Sequence, residues 1–213
     1  ILAVLLLYRI RVWSAMKGLV GADADGRAFL IRLIVAFLPA AFLGVLAGDA
    51  MKSALFGPVP VTIAWVVGGV FLLRWKPTVG SVSLHEMPIR AALIIGCAQS
   101  IALWPGVSRS LVTLVAALAV GLSMSSAIEF SFLLGLITLS SATALDLTKH
   151  GSELVDQFGI LAPAIGLVCA FITAVMAVKW MVGYLESHSL RVFGWYRLAI
   201  GAVSVVLLAT NVL

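Results

Sequence analysis

One ten-residue stretch of this 213-residue chain has the residue types and spacing that can do chemistry: Trp104–Thr113, Trp-Pro-Gly-Val-Ser-Arg-Ser-Leu-Val-Thr. It sets an arginine, three hydroxyls and a Pro-Gly break between two apolar runs, Ala91–Leu103 and Leu111–Leu122. A charge among apolar segments is costly unless it faces a partner, a cavity or a ligand. If Leu111 onward is helical, Ser108 or Ser110 sits at the N-cap, where a hydroxyl can satisfy a free backbone N–H. The helix start offers unpaired N–H groups and the positive end of the dipole, a ready anion site. Arg109 adds a planar fork of donors that matches phosphate oxygens. Thr113 follows Ser110 by three residues and Arg109 by four, so it can share their face. Gly106 lets the backbone turn tightly or approach a ligand closely. Together these groups can stabilise developing phosphoryl charge. They include no obvious base and no carboxylate pair for a divalent cation.

The elements that must position this stretch are membrane helices. Hydrophobic residues make up 62% of the chain and charged residues 11%, against about a quarter charged in soluble domains. Mean hydropathy is +1.17. The apolar runs are continuous rather than alternating, which excludes a transmembrane β-barrel. The fold class expected is all-α, a polytopic integral membrane protein forming one membrane domain over residues 1–213. The net charge of +5 does not point to nucleic acid, because the basic residues are scattered between apolar segments. Cys97 and Cys169 lie inside apolar runs and read as buried small hydrophobes rather than as a disulfide or metal site.

Full spans are expected at Phe29–Ala47, Val61–Trp75, Ser125–Leu145, Ile160–Tyr184 and Leu198–Leu213. Polar loops are expected at Arg9–Arg27, Gly48–Pro60, Pro77–Pro88 and Asp146–Gln157. Ile89–Trp104 and Leu111–Leu122 are apolar but short of the roughly 20 residues a span needs. Joined by Pro-Gly, they suggest a re-entrant hairpin over about residues 89–122. Broken helices of this kind put helix ends at membrane depth. Charge bias agrees. Arg9–Arg27, Arg74–Arg90 and Glu186–Arg197 are the basic loops, hence cytoplasmic, only if residues 89–122 enter and leave on one side. Ile1–Tyr8 is apolar but only eight residues long, and reads as the tail of a helix that begins upstream.

Gln99 on the first half-helix and Glu129 at the start of the next span are candidates for a second shell around the tip. His85, His150 and His188 read as solvated loop residues. Arg32 reads as snorkelling from its span. Gly44, Gly68, Gly69 and Gly166 read as close-packing positions.

Pro105-Gly106-Val107-Ser108-Arg109-Ser110 with Thr113 resembles the second signature of the undecaprenyl-diphosphate phosphatase family, the bacitracin-resistance type. Gly96-Cys97-Ala98-Gln99 and Ala102-Leu103-Trp104 before it are similar to the family, as are Glu129–Leu134, Ala142–Leu147 and Tyr196-Arg197 after it. The resemblance covers essentially the whole chain. It implies an integral membrane hydrolase of the bacterial inner membrane that converts undecaprenyl diphosphate to undecaprenyl phosphate, recycling the carrier lipid for cell-wall synthesis. It implies two re-entrant hairpins in an inverted repeat, of which this chain holds one. It casts Arg109 and Ser108 as catalytic, and Gly106, Ser108, Arg109, Ser110 and Thr113 as binding the substrate phosphates. It implies Mg²⁺ or Ca²⁺, with carboxylate ligands in a glutamate-rich first signature that would precede residue 1. The partners implied are a polyprenyl diphosphate lipid and membrane lipids, and a homodimer is compatible with them. The chain departs from the family at Leu111-Val112, where Gly-Ala is usual, at Ile137, where proline is common, and in the short loop Thr78–Ser83. Two other functions share this architecture: a lipid transporter or flippase, and a non-catalytic remnant that binds diphosphate lipid.

Overall fold

The computed structural model describes residues 1–76 and 78–210, with side chains at all of these except 49, 52, 152 and 155. Two short helices come first, α1 (Leu2–Leu7) and α2 (Arg9–Leu19), then the long α3 (Ala24–Leu55) and α4 (Pro58–Arg74). The short α5 (Ile89–Gln99) runs into a 3₁₀ turn, Ser100–Leu103, and is followed by the equally short α6 (Arg109–Ala119). The chain closes with α7 (Met124–Phe158), α8 (Leu161–Ser187) and α9 (Arg191–Ala209).

Among the described residues, four helices are long and apolar enough to cross a membrane: Ala24–Gly48 within α3, Met124–Gly151 within α7, Leu161–Ser187 and Arg191–Ala209. The expected span at Val61–Trp75 is instead the 17-residue α4, about 26 Å long at 1.5 Å per residue. The expected polar loop Asp146–Gln157 is helical and continues α7 to Phe158, and Arg9–Leu19 is helical as well. Polarity alone does not end a helix: neither segment holds a proline, and the one glycine inside each sits within its helix. The last span starts at Arg191 rather than Leu198, so Arg197 lies within it. Its expected end, residues 211–213, lies outside the described residues.

The core lies where α3, α5, α6 and α7 meet. Phe29, Leu33 and Ala36 of α3, Ala92 and Ile95 of α5, Leu114, Ala117 and Leu118 of α6 and Phe130, Leu133 and Leu134 of α7 share one buried cluster, in which Phe29 meets Phe130 edge-on. The α6 residues recur at spacings of three and four, the helical period. Water exclusion contributes little here, since lipid tails are as apolar as leucine; interlocking and close backbone approach hold the helices. Thus a Cβ on Gly96 would lie 2.4 Å from the Ala36 carbonyl oxygen, and one on Gly69 only 3.0 Å from that of Gly194 in α9. Gly166, expected at a packing face, has nothing within 4 Å. No residue in the most apolar window of α8 is buried. Cys97 and Cys169 are likewise exposed, not buried as their apolar surroundings suggested. Exposed leucine, isoleucine and valine over α3, α8 and α9 make a lipid-facing surface.

The short helices leave from and return to one end. Gly80 and Val82, ahead of α5, donate from their N–H groups to the carbonyls of Leu122 and Gly121 beyond α6, and Ser123 donates back to Val82. Arg32 of α3 braces the same region by donating to the carbonyls of Leu84 and His85 at 3.4 and 3.1 Å. His85 stays outward, paired with Asp25 at 2.8 Å.

Asp23 starts α3. Its Oδ1 accepts from the Gly26 N–H at 2.8 Å and its Oδ2 from the Ser14 hydroxyl at 2.6 Å. The Gly26 N–H above all, and then Ser14, hold this carboxyl below the usual carboxylate range. A depressed carboxylate stabilises the fold above its unfolded pKa, about 3.9, and that contribution is lost as pH falls through the folded value. Asp23→Ala is therefore expected to lower the melting temperature in detergent at pH 7. The gap from wild type should close below about pH 4. A gap that persists at low pH would contradict the capping role.

Candidate functional site

The tip between α5 and α6 is pinned from outside. Gly106 has φ +88°, a left-handed conformation that other residues rarely adopt, and a Cβ there would lie 2.8 Å from the Val61 carbonyl oxygen. Its own carbonyl accepts from Arg197 Nη2 at 2.7 Å, and the same nitrogen donates to the Ala64 carbonyl at 2.9 Å. Trp104 Nε1 donates to the Pro60 carbonyl at 3.1 Å. α9 and α4 thus hold the turn through a guanidinium and an indole. Gly68 makes room for that guanidinium, since a Cβ on it would lie 2.8 Å from Arg197 Nη2.

Ser108 occupies the N-cap of α6 in an extended conformation, as the sequence suggested, yet its hydroxyl makes no cap bond. It lies 3.5 Å from the Ser110 hydroxyl instead. The first helical bond runs from the Val112 N–H to the Ser108 carbonyl. The N–H groups of Arg109, Ser110 and Leu111 have no acceptor among the described residues. Three backbone donors and two hydroxyls are therefore free at the positive end of the helix dipole.

Two arginines flank this helix start. Arg197 lies in the wall of a cavity of about 270 Å³ with Ser108, Ser110 and Ser131. The other walls come from α6, α7, α8 and α9 and, apart from the Tyr196 phenol, are apolar; they include Leu114, Ile128, Phe132, Met181 and Phe193. The Arg109 guanidinium packs against α7, within about 3 Å of where a Cβ on Gly135 would stand. Its Nη1 is buried and unpartnered, as is Nε of Arg197. Neither guanidinium has a carboxylate partner among the described residues. In an apolar environment two such groups leave a large unmet demand for anionic acceptors.

The remaining expected site residues fall differently. Gln99 is 2% exposed; its Oε1 accepts from Thr138 at 3.5 Å and its Nε2 has no partner. It therefore sits on the Arg109 side, since Thr138 lies three residues beyond Gly135 on α7. Thr113 is 1% exposed, with its hydroxyl turned to Ser131 and to the carbonyls of Arg109 and Ser110, away from the cavity. Glu129 accepts from Arg11 Nε of α2 at 2.8 Å and does not approach the tip.

Sequence reading missed Arg197, Ser131 and Gly135. The first was assigned to the end of a basic loop; an arginine inside the last apolar run was the available signal. The other two show as a stripe of small and hydroxyl residues, 131, 135 and 138, at helical spacing on α7. Among the described residues no three His, Cys, Asp or Glu side chains converge. The polar lining of the cavity is hydroxyl and guanidinium, a donor set that suits an anion and does not hold Mg²⁺ or Ca²⁺.

The family model for bacitracin resistance protein BacA matches residues 1–203. This chain belongs to the BacA family. An undecaprenyl-diphosphatase of Sorangium cellulosum (strain So ce56) is 41% identical over 210 residues, covering 95% of this chain and 68% of the relative. One of Acinetobacter baumannii (strain ATCC 17978) is 38% identical over 206 residues, covering 95% and 75%. One of Bradyrhizobium diazoefficiens (strain USDA 110) is 40% identical over 216 residues, covering 98% and 79%. The family match spans both the α5–α6 tip and the α9 segment that holds it.

Proposed function

We propose that this BacA-family protein hydrolyses undecaprenyl diphosphate to undecaprenyl phosphate in the bacterial inner membrane, which it crosses several times. The observation that carries the reading is the free N-terminus of α6, which opens on a cavity lined by Arg197 and mostly by apolar side chains, with the Arg109 guanidinium unpaired against α7 at Gly135. A ligand with a diphosphate head and a hydrocarbon chain satisfies both halves. Hydrolysis adds water at the terminal phosphorus and breaks the P–O–P anhydride bond. Inorganic phosphate leaves, and the lipid keeps one phosphate. Charge builds on the phosphoryl oxygens along the way, and preorganised N–H donors in a dry site stabilise it without reorganising.

In this reading Arg109 binds the phosphoryl oxygens bidentately, with Gln99 beside it. The N–H groups of Arg109, Ser110 and Leu111, with the Ser108 and Ser110 hydroxyls, complete the cradle. Ser108 is placed to donate, because no histidine or carboxylate lines the cavity to take its proton. Gly106 keeps the turn compact. The α5–α6 pair is read as re-entrant: α6 spans about 16 Å against a hydrocarbon core of about 30 Å, and its exit is bonded to the entry of α5. Mg²⁺ or Ca²⁺ belongs to the proposal as a requirement for turnover, with ligands other than the cavity residues.

The test is phosphate release from undecaprenyl diphosphate by the purified protein in detergent, with Mg²⁺, with Ca²⁺ and with EDTA. Release with either metal, its loss in EDTA, and pyrophosphate binding that survives EDTA are expected. Lipid movement across vesicles with no phosphate released would favour a flippase, and pyrophosphate binding without turnover a non-catalytic binder. Release undiminished by EDTA would remove the metal from the proposal.

A further inference from the structure

Ser131 of α7 and Thr113 of α6 are both buried, at 6% and 1% exposure, and their hydroxyls meet. Ser131 Oγ also lies 3.1 Å from the Ser110 carbonyl, and Thr113 Oγ1 lies 3.0 and 3.1 Å from those of Arg109 and Ser110. Two hydroxyls bring two protons. One proton bridges the two oxygens. The other goes to a carbonyl of the first turn of α6, from Ser131 to Ser110 or from Thr113 to Arg109 or Ser110. In either direction both protons are committed within the helix pair, and neither is left for a ligand in the cavity.

We infer that Ser131 is a positioning residue, the half of a Ser131–Thr113 clamp that fixes the first turn of α6 on α7 and so holds the backbone donors of residues 109–111. The clamp acts where it matters most. Those N–H groups have no bonds of their own to hold them, Ser108 gives no cap bond, and Arg197 at Gly106 and Trp104 at Pro60 hold the tip ahead of them rather than the first turn itself. A cradle that drifts loses transition-state stabilisation more than ground-state binding, because the ligand's apolar chain still docks. The inference rests on the phosphatase reading for its kinetic consequence, but the clamp itself can be seen without turnover.

The experiment compares wild type with Ser131→Ala, Thr113→Val and Thr113→Ser in the complete protein. Steady-state phosphate release is measured alongside amide hydrogen exchange of residues 112–114, whose N–H groups bond the carbonyls of the first turn. For Ser131→Ala and Thr113→Val, kcat is expected to fall about tenfold, with KM within about twofold of wild type. Amide exchange over the first turn of α6 should rise in both. Thr113→Ser keeps the hydroxyl and should restore both readouts. A raised KM at unchanged exchange would make Ser131 a direct substrate contact and overturn the clamp. Unchanged kcat and exchange in Ser131→Ala, with only a lower melting temperature, would overturn it too. If wild type releases no phosphate the phosphatase reading fails, and exchange alone then decides the clamp: faster in Ser131→Ala sustains it, unchanged sinks it.

Discussion

Arg109→Ala is expected to reduce phosphate release from undecaprenyl diphosphate by about a hundredfold to a thousandfold, the cost of removing a preorganised donor from a developing oxyanion. The effect should exceed that of any single hydroxyl variant. Arg109 is charged, and its buried Nη1 has no partner among the described residues, so it is free to bond a phosphoryl oxygen. Arg109→Lys keeps the charge but loses the planar fork, and should recover only a small part of the rate. Gly135 offers an independent handle. A Cβ there would lie 2.9 Å from Nη1 and 3.0 Å from Nη2, so Gly135→Val must displace the guanidinium without removing it. Loss of rate in Gly135→Val, with the protein still monodisperse in detergent, would tie the effect to where the guanidinium stands. Full turnover in Arg109→Ala would end the role assigned to it.

Arg197→Ala should also be damaging, by a different route. The Nη2 group donates at once to Gly106 at the tip and Ala64 on α4, so its loss unties the tip from α4 and leaves the Gly106 carbonyl, which lies outside any helix, without its donor. Hydrogen bonds from charged groups contribute about 1.5–3 kcal/mol each. Losing one from the element that carries the cradle corresponds to roughly tenfold to a hundredfold in kcat/KM. Both bonds come from one nitrogen, so Arg197→Lys can preserve them and should retain part of the activity if tethering is the main role. Activity as low in Arg197→Lys as in Arg197→Ala would show that the fork itself, through its unpartnered Nε, touches the phosphate. Unchanged kinetics in the alanine variant would remove Arg197 from the site.

The donor-rich character of Trp104–Thr113 was legible because its features are local. A helix start frees N–H groups whatever surrounds it, and an arginine among apolar residues needs a partner. The break at Gly106 and the helix start at Arg109 follow from Pro-Gly and the apolar run after it. Helix limits were less legible. Asp146–Gln157 looks like a loop by polarity but continues α7, because a charged stretch beyond the membrane can remain helical when nothing breaks it. Glu129 and Arg11 lie 118 residues apart, and no local pattern announces their ion pair.

The sequence by itself determined the membrane class, the helical architecture, the short broken pair and the hydrogen-bond donors gathered at its tip. Each follows from composition or from spacings of three or four residues, where backbone geometry leaves few alternatives. Only the tertiary structure decided which face each side chain takes. It brought Arg197 from the last helix onto the Gly106 carbonyl, set Arg109 into the space beside Gly135, and turned Thr113 inward to Ser131. These are contacts between helices far apart in the chain. They depend on which small residues let two backbones approach, a property of the helix pair that neither helix alone encodes.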